Sequence, residues 1–211
     1  MQSIAKQRRA FEKELFATIG PALRGTGWKK SGQIIFRQSG EFFQDIEISV
    51  FLNEQKIRVT QRIKPMTLDV ILWNILGMPE NARKPLSFRS DGAFTCLALP
   101  IDDALLDSPF DTVSDALVAL KAIVDSSEKL YHSVLTETDF STLLTQHTNQ
   151  RERGAYAVTL VTSLINDGDR NAAADLATAY DSGELRSCMN LSCDGVSFHR
   201  LALDWLAREH H

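Results

Sequence analysis

The sequence predicts an α+β protein: an N-terminal helix on an antiparallel sheet of about four to six strands, then an all-helical C-terminal half. Three observations predict it. Residues 40–65 read as one β-hairpin whose register is already set. From residue 101 the apolar period becomes helical and stays helical. No Pro-, Gly- or Ser-rich linker separates the halves, so residues 1–100 form an antiparallel-sheet region and 101–211 a helical region with a soft boundary. A single domain is equally compatible with that pattern.

Residues 3–24 open the chain as an amphipathic helix. Ile4, Phe11, Leu15, Ile19 and Leu23 fall near one stripe, while Lys6, Arg8, Arg9, Glu12 and Lys13 lie mostly elsewhere. Pro21 kinks this helix or starts its last turn, and Gly25 and Gly27 end it. A strand over residues 33–37 and a Ser39-Gly40 turn lead into the hairpin. Folding residues 45–53 against 56–64 around Glu54-Gln55 sets Ile46 opposite Ile63, Val50 opposite Val59 and Leu52 opposite Ile57. On the other face Asp45 meets Lys64, Glu47 meets Arg62 and Ser49 meets Thr60. Apolar pattern and charge pairing agree on one register. Residues 67–77, apolar nearly all round, form a short buried helix with Thr67 as its N-cap. Residues 86–89 and 94–99 read as strands flanking an Asp91-Gly92 turn of type I′.

Beyond residue 101, Asp111 or Thr112 caps a helix running to about Val134, with Val113, Leu117, Leu120, Ile123 and Val124 facing inward. A shorter helix covers 139–148. Residues 152–166 and 170–181 form an αα-hairpin turned by Asn166-Asp-Gly-Asp. Its alanine-rich texture resembles one tetratricopeptide pair, but a repeat array needs about three such pairs, so a plain helical hairpin is expected. A helix over 196–209 closes the chain.

Apolar residues are 44% of the chain and charged residues 24%, the make-up of an ordinary globular protein. No apolar run nears the roughly 20 residues that span a bilayer. The basic start, Met1 to Arg9, has no apolar stretch behind it, so neither a membrane span nor a signal peptide is expected. Three cysteines, Cys96, Cys188 and Cys193, are too few for a disulfide framework and point to a reducing, cytoplasmic compartment. The net charge of −4 hides a segregation. Residues 1–65 carry twelve Lys/Arg against six Asp/Glu, and 101–140 carry two against nine. Such halves can attract each other within one fold, and that internal pairing is the favoured explanation.

No residue pattern marks catalysis, a cofactor or a metal. Cys188, Cys193 and His199 are spaced C-x4-C-x5-H without a second Cys/His pair, and His132 and His147 alone remain as further ligands. Two small thiols in a loop before the last helix explain them better than zinc does. No G-x-S-x-G elbow accompanies any serine, and Gly25-Thr-Gly27 ends a helix instead of opening one on a phosphate. Two binding surfaces remain. The leading one is the acidic helical surface of Asp102, Asp103, Asp107, Asp111 and Asp115, which lacks the spacing of a calcium loop and suits a basic protein partner. The alternative is an aromatic and basic sheet face, Trp28, Lys30, Phe51 and Arg58, suited to a small ligand or single-stranded nucleic acid. A hydrolase built on Cys188 or Cys193 with His199 ranks third.

The run Phe11…Leu15…Ile19-Gly-Pro21…Leu23, then Gly27-Trp28-Lys29-Lys30-Ser-Gly32…Phe36-Arg37, resembles the opening of the domain-of-unknown-function family 4304. The resemblance covers about the first 65 residues and implies a helix on an antiparallel sheet. It transfers no catalytic residue. Small bacterial proteins of this build often sit among toxin–immunity genes, which implies a binding role.

Overall fold

The computed structural model describes residues 3–51, 54, 56–91, 94–107, 113–135, 139–147, 154–187 and 191–208. In chain order its elements are helix α1 (Ile4–Ala22), strands β1 (Lys29–Ser31), β2 (Ile34–Ser39), β3 (Phe42–Phe51) and β4 (Lys56–Pro65), then helix α2 (Met66–Ile75), a 3-10 turn (Pro79–Arg83) and the one-turn α3 (Phe88–Asp91). Strand β5 (Leu99–Asp107) follows, then helices α4 (Val113–Leu135), α5 (Phe140–Gln146), α6 (Tyr156–Asn166) and α7 (Arg170–Asp181), the small strands β6 (Ser192–Cys193) and β7 (Val196–Ser197), and α8 (Phe198–Arg208). The fold class is the predicted one. An N-terminal helix precedes a five-stranded antiparallel sheet of order β1-β2-β3-β4-β5, and the C-terminal half is mostly helical.

The chain divides into two compact units, Met1–Ile63 with Ala98–Glu137, and Lys64–Leu97 with Thr138–His211. Each therefore draws on both sides of residue 100, where the change of period sets the sequence boundary.

In the first unit α1 and α4 pack with one face of the sheet. Leu15 and Ile19 from α1, Ile46, Ile48 and Val50 from β3, Ile57, Val59 and Ile63 from β4, and Leu120 and Val124 from α4 share one core. Ile46, Val50, Ile57, Val59 and Ile63 are the hairpin residues that alternation assigned to one face. Arg62 sends Nη1 to Glu47 Oε2 at 2.5 Å, the cross-strand pair expected from sequence, and its Nε and Nη2 also reach the Asp45 carboxylate at 2.6 and 3.1 Å. The buried Tyr131 hydroxyl of α4 donates to the Asp45 carbonyl at 3.1 Å and ties that helix to β3.

Two segments depart from expectation. Residues 99–107 are not the start of the helical half but β5, antiparallel to β4 from Lys56↔Asp107 to Ile63↔Leu99. The register shifts between Gln61 and Arg62, so that Ile101 is the extra residue of a bulge and Pro100 sits beside it, where a missing N–H is tolerated. Residues 86–89 are not the expected strand, and of the Asp91-Gly92 turn only the helical Asp91 lies within the described residues. Residues 88–91 coil into α3, since Phe88 packs on Trp73 with ring centroids 5.9 Å apart and Arg89 turns inward. The two-residue Asp-Gly hairpin occurs elsewhere, at Asp194-Gly195. Both residues there have positive φ (51° and 80°), as type I′ demands, and they join β6 to β7.

In the second unit α6 is buried on nearly every side, and α7 turns back on it through Gly168 at φ 85°. Ala173 and Ala177 are the buried residues of α7, small enough to let helices approach closely. Asp169 caps α7 by accepting from the Ala172 N–H at 3.1 Å. Thr67 does not cap α2, whose N-cap is Pro65; its hydroxyl bonds to Asn166 Oδ1 instead.

Candidate functional site

The acidic residues singled out in the sequence fall on different elements. Asp102, Asp103 and Asp107 belong to β5, and Asp115 is an exposed residue of the first turn of α4. Asp111 lies outside the described residues. The surface is therefore not a helical one: it is an edge strand that leads into a helix. Asp103 and Arg58 form a bidentate pair, Nε to Oδ1 at 2.9 Å and Nη2 to Oδ2 at 2.6 Å, and Thr60 Oγ1 donates to Oδ1 at 3.1 Å. These donors, first the Arg58 hydrogen bonds, hold the Asp103 carboxyl below its ordinary range. The same pair raises Arg58 further. Asp102 points to the opposite face and accepts from Gln61 Nε2 at 2.9 Å.

The two competing surfaces thus meet. Arg58, from the basic and aromatic set, is the partner of Asp103 from the acidic set. Trp28 is buried in the first unit's core, with the Arg37 guanidinium 4.6 Å from its ring centroid. Lys30 is exposed, its Nζ 3.4 Å from the Gly32 carbonyl and 5.7 Å from the Phe16 ring centroid. Phe51 at the end of β3 is 41% exposed, and Leu105, opposite Arg58 on β5, is 48% exposed. What the structure gathers on this sheet face is Arg58 paired with Asp103, with Leu105 beside them. Unlike these, Ile34, Phe36 and Phe43 of β2 and β3 are buried.

A buried charge network in the second unit escaped sequence reasoning. Lys64 and Asp69 are both 0% exposed. The Lys64 ammonium donates to Asp69 Oδ1 at 3.0 Å, to the Arg89 carbonyl at 2.9 Å and to the Cys96 carbonyl at 2.8 Å. Asp69 also accepts from Arg89 Nη1 at 3.0 Å and the Cys96 N–H at 2.8 Å. Arg89 reaches the Met66 carbonyl at 2.9 Å and lies 4.9 Å from the Trp73 ring centroid. The hairpin register sets Lys64 opposite Asp45, but Asp45 is bonded to Arg62. One signal was available: Asp69 is the sole charge in a helix apolar on all sides, and a buried charge requires a partner. Burial pushes the Cys96 thiol in this cluster up to about 12, making it a poor nucleophile at neutral pH.

His199 stands on the first turn of α8, 7% exposed, with its ring 4.7 Å from that of Tyr180 and edge-on to Phe198. Desolvation lowers its pKa against the opposing charge of Asp181. Cys193 is half-buried on β6, and Cys188 lies outside the described residues. Among the described residues no group of three His, Cys, Asp or Glu side chains is placed to hold a metal ion. Nor is any helix there long and apolar enough to cross a membrane. Compared with family models, curated proteins and solved structures, the chain matches none of them.

Proposed function

We propose that this chain is a non-catalytic, cytoplasmic protein-binding module whose partner lays a basic, extended segment along the free edge of β5. The observation that supports it is the position of β5. It is nine residues long and ends the sheet order, with β4 on one side and no further paired strand on the other among the described residues. Such an edge offers a row of unpaired N–H and C=O groups to an incoming strand. Charge selects the visitor. From Ala98 to Glu137 the chain carries eight Asp/Glu against two Lys/Arg, and Arg58 neutralises one of those carboxylates. A basic segment is steered toward this edge and an acidic one is repelled. The exposed Leu105 gives an arriving strand an apolar contact beside the charges. An immunity-type role, covering a basic cleft of another protein, is one use of this chemistry.

The test is affinity capture from the source cell with the wild-type chain and with Asp102→Lys/Leu105→Lys, followed by hydrogen exchange on the recovered complex. Supporting results are one stoichiometric, salt-sensitive partner, lost on double substitution, that slows exchange in residues 99–107. A partner that binds both chains and leaves those amides unprotected ends this reading.

A further inference from the structure

The second unit holds a cavity of about 540 Å³ between the end of α7 and the start of α8, within the range of roughly 300–1,000 Å³ usual for small-molecule sites. Its lining mixes two chemistries. Tyr180, Leu185 and Leu191 supply apolar surface, and Leu185 is 41% exposed. Arg186, Ser197 and His199 supply polar groups.

The charges in this cavity are unequally satisfied. Asp181, also on the wall, is held by Arg200 Nη2 at 2.8 Å and by the Ser197 hydroxyl at 2.8 Å. His199 is kept toward its neutral form by burial, and its Nδ1 is buried with no hydrogen-bond partner. Arg186 is exposed and lines the cavity, and among the described residues no ion pair ties it to a carboxylate. The amino end of the eleven-residue α8 opens on the same space, and its dipole favours negative charge. An anion therefore has a cation and a helix end to meet it, while the Ser197 hydroxyl stays committed to Asp181. The Asp181 carboxylate, which also lines the cavity, penalises a second negative charge, and the leucine and tyrosine surface favours an apolar body.

From this arrangement we infer that the cavity binds a small monocarboxylate with an apolar tail or ring, its carboxylate on Arg186 and its body against Leu185, Leu191 and Tyr180. An arginine fork matches a carboxylate in two parallel hydrogen bonds.

The test is an NMR titration of the full chain with hexanoate, benzoate, acetate and inorganic phosphate, repeated with Arg186→Gln. The exposed position of Arg186 lets that variant fold, which its own spectrum verifies. Expected are saturable shifts of the His199 ring and the Ser197 and Arg186 amides with hexanoate or benzoate, weaker binding of acetate, and about a tenfold loss of affinity in Arg186→Gln. Absence of saturable shifts with the two apolar carboxylates overturns the inference, and so does equal affinity in the variant. Phosphate binding as tightly as benzoate overturns the choice of ligand class.

Discussion

The Lys64 ammonium has three protons and three acceptors, the Asp69 carboxylate and the carbonyls of Arg89 and Cys96. Removing it strips a counter-charge from Asp69 and leaves two buried carbonyls short of a donor. Breaking a buried pair from one side costs about 3–5 kcal/mol. Asp69 keeps Arg89 and the Cys96 N–H, so the lower end applies: Lys64→Met is expected to destabilise by about 3 kcal/mol in urea unfolding. A loss under about 1 kcal/mol would mean that the network contributes little. His199 tests burial from the other direction. Its folded pKa is lowered from an unfolded value near 6.5, so between the two the unfolded chain binds more protons. Stability is then independent of His199 above about pH 7.5 and falls as pH drops through about 6.5, by at most about 1.4 kcal/mol per pH unit. Asp181 opposes the effect without reversing it. Replacing His199 by Phe keeps the stacking and removes the titration, so melting temperature against pH should flatten between about pH 7 and 5. Parallel curves for the two proteins would place the titrating group elsewhere.

Among the elements, β3 and β4 were legible and β5 was not, and the difference is physical. β3 and β4 alternate because one face meets the helices, so the period of two is written into the residues. In β5 the Asp102-Asp103 and Leu105-Leu106 doublets break that alternation, Ile101 sits in a bulge, and Pro100 is a poor strand former. Edge strands are guarded by such residues, and the guard conceals the strand. The Asp-Gly signal misled for a similar reason. At Asp91 the packing of Phe88 on Trp73 favours a helical turn, whereas Asp194 and Gly195 both take the positive φ that the hairpin needs. The candidate site is half legible: its aspartates stand out in the sequence but not as strand residues, and the pairing of Asp103 with Arg58 spans 45 residues that no local pattern relates. Energetics along β4 should follow exposure and not charge. Arg58→Ala removes a solvent-exposed pair and is expected to cost under about 1 kcal/mol. Its neighbour Ile57, 1% exposed in the core, is expected to cost about 2–5 kcal/mol as Ile57→Ala. Denaturant midpoints in the reverse order would refute the assignment of Ile57 to the core face.

At the scale of the whole chain, residue 100 marks where the hydrophobic period changes, but the contacts do not divide there. The first unit needs the sheet from the front half, together with β5 and α4, whose Ala116, Leu120, Val124 and Tyr131 complete its core. Period reports local conformation, and a unit is defined by which surfaces bury each other; the two coincide only when consecutive elements pack together. A chain cut after residue 100 keeps the sheet's apolar face and loses the helix that covers part of it, so it is expected to lack a cooperative transition. The register offers a positive counterpart. Ile63 and Leu99 are direct partners across β4 and β5, about 5 Å apart as in any antiparallel pair. A loop of about four residues, ordinary for a hairpin, can therefore replace 64–97 without moving either strand. Residues 1–63 joined through such a loop to 98–137 are expected to unfold in one cooperative step, with mixed helical and strand circular dichroism. The Ile57→Ala change should lower the midpoint of this shortened chain as it does that of the full one, because the core it weakens lies wholly within these residues. If the joined chain melts without a transition while the full chain is cooperative, residues 64–97 or 138–211 are required for the first unit to fold.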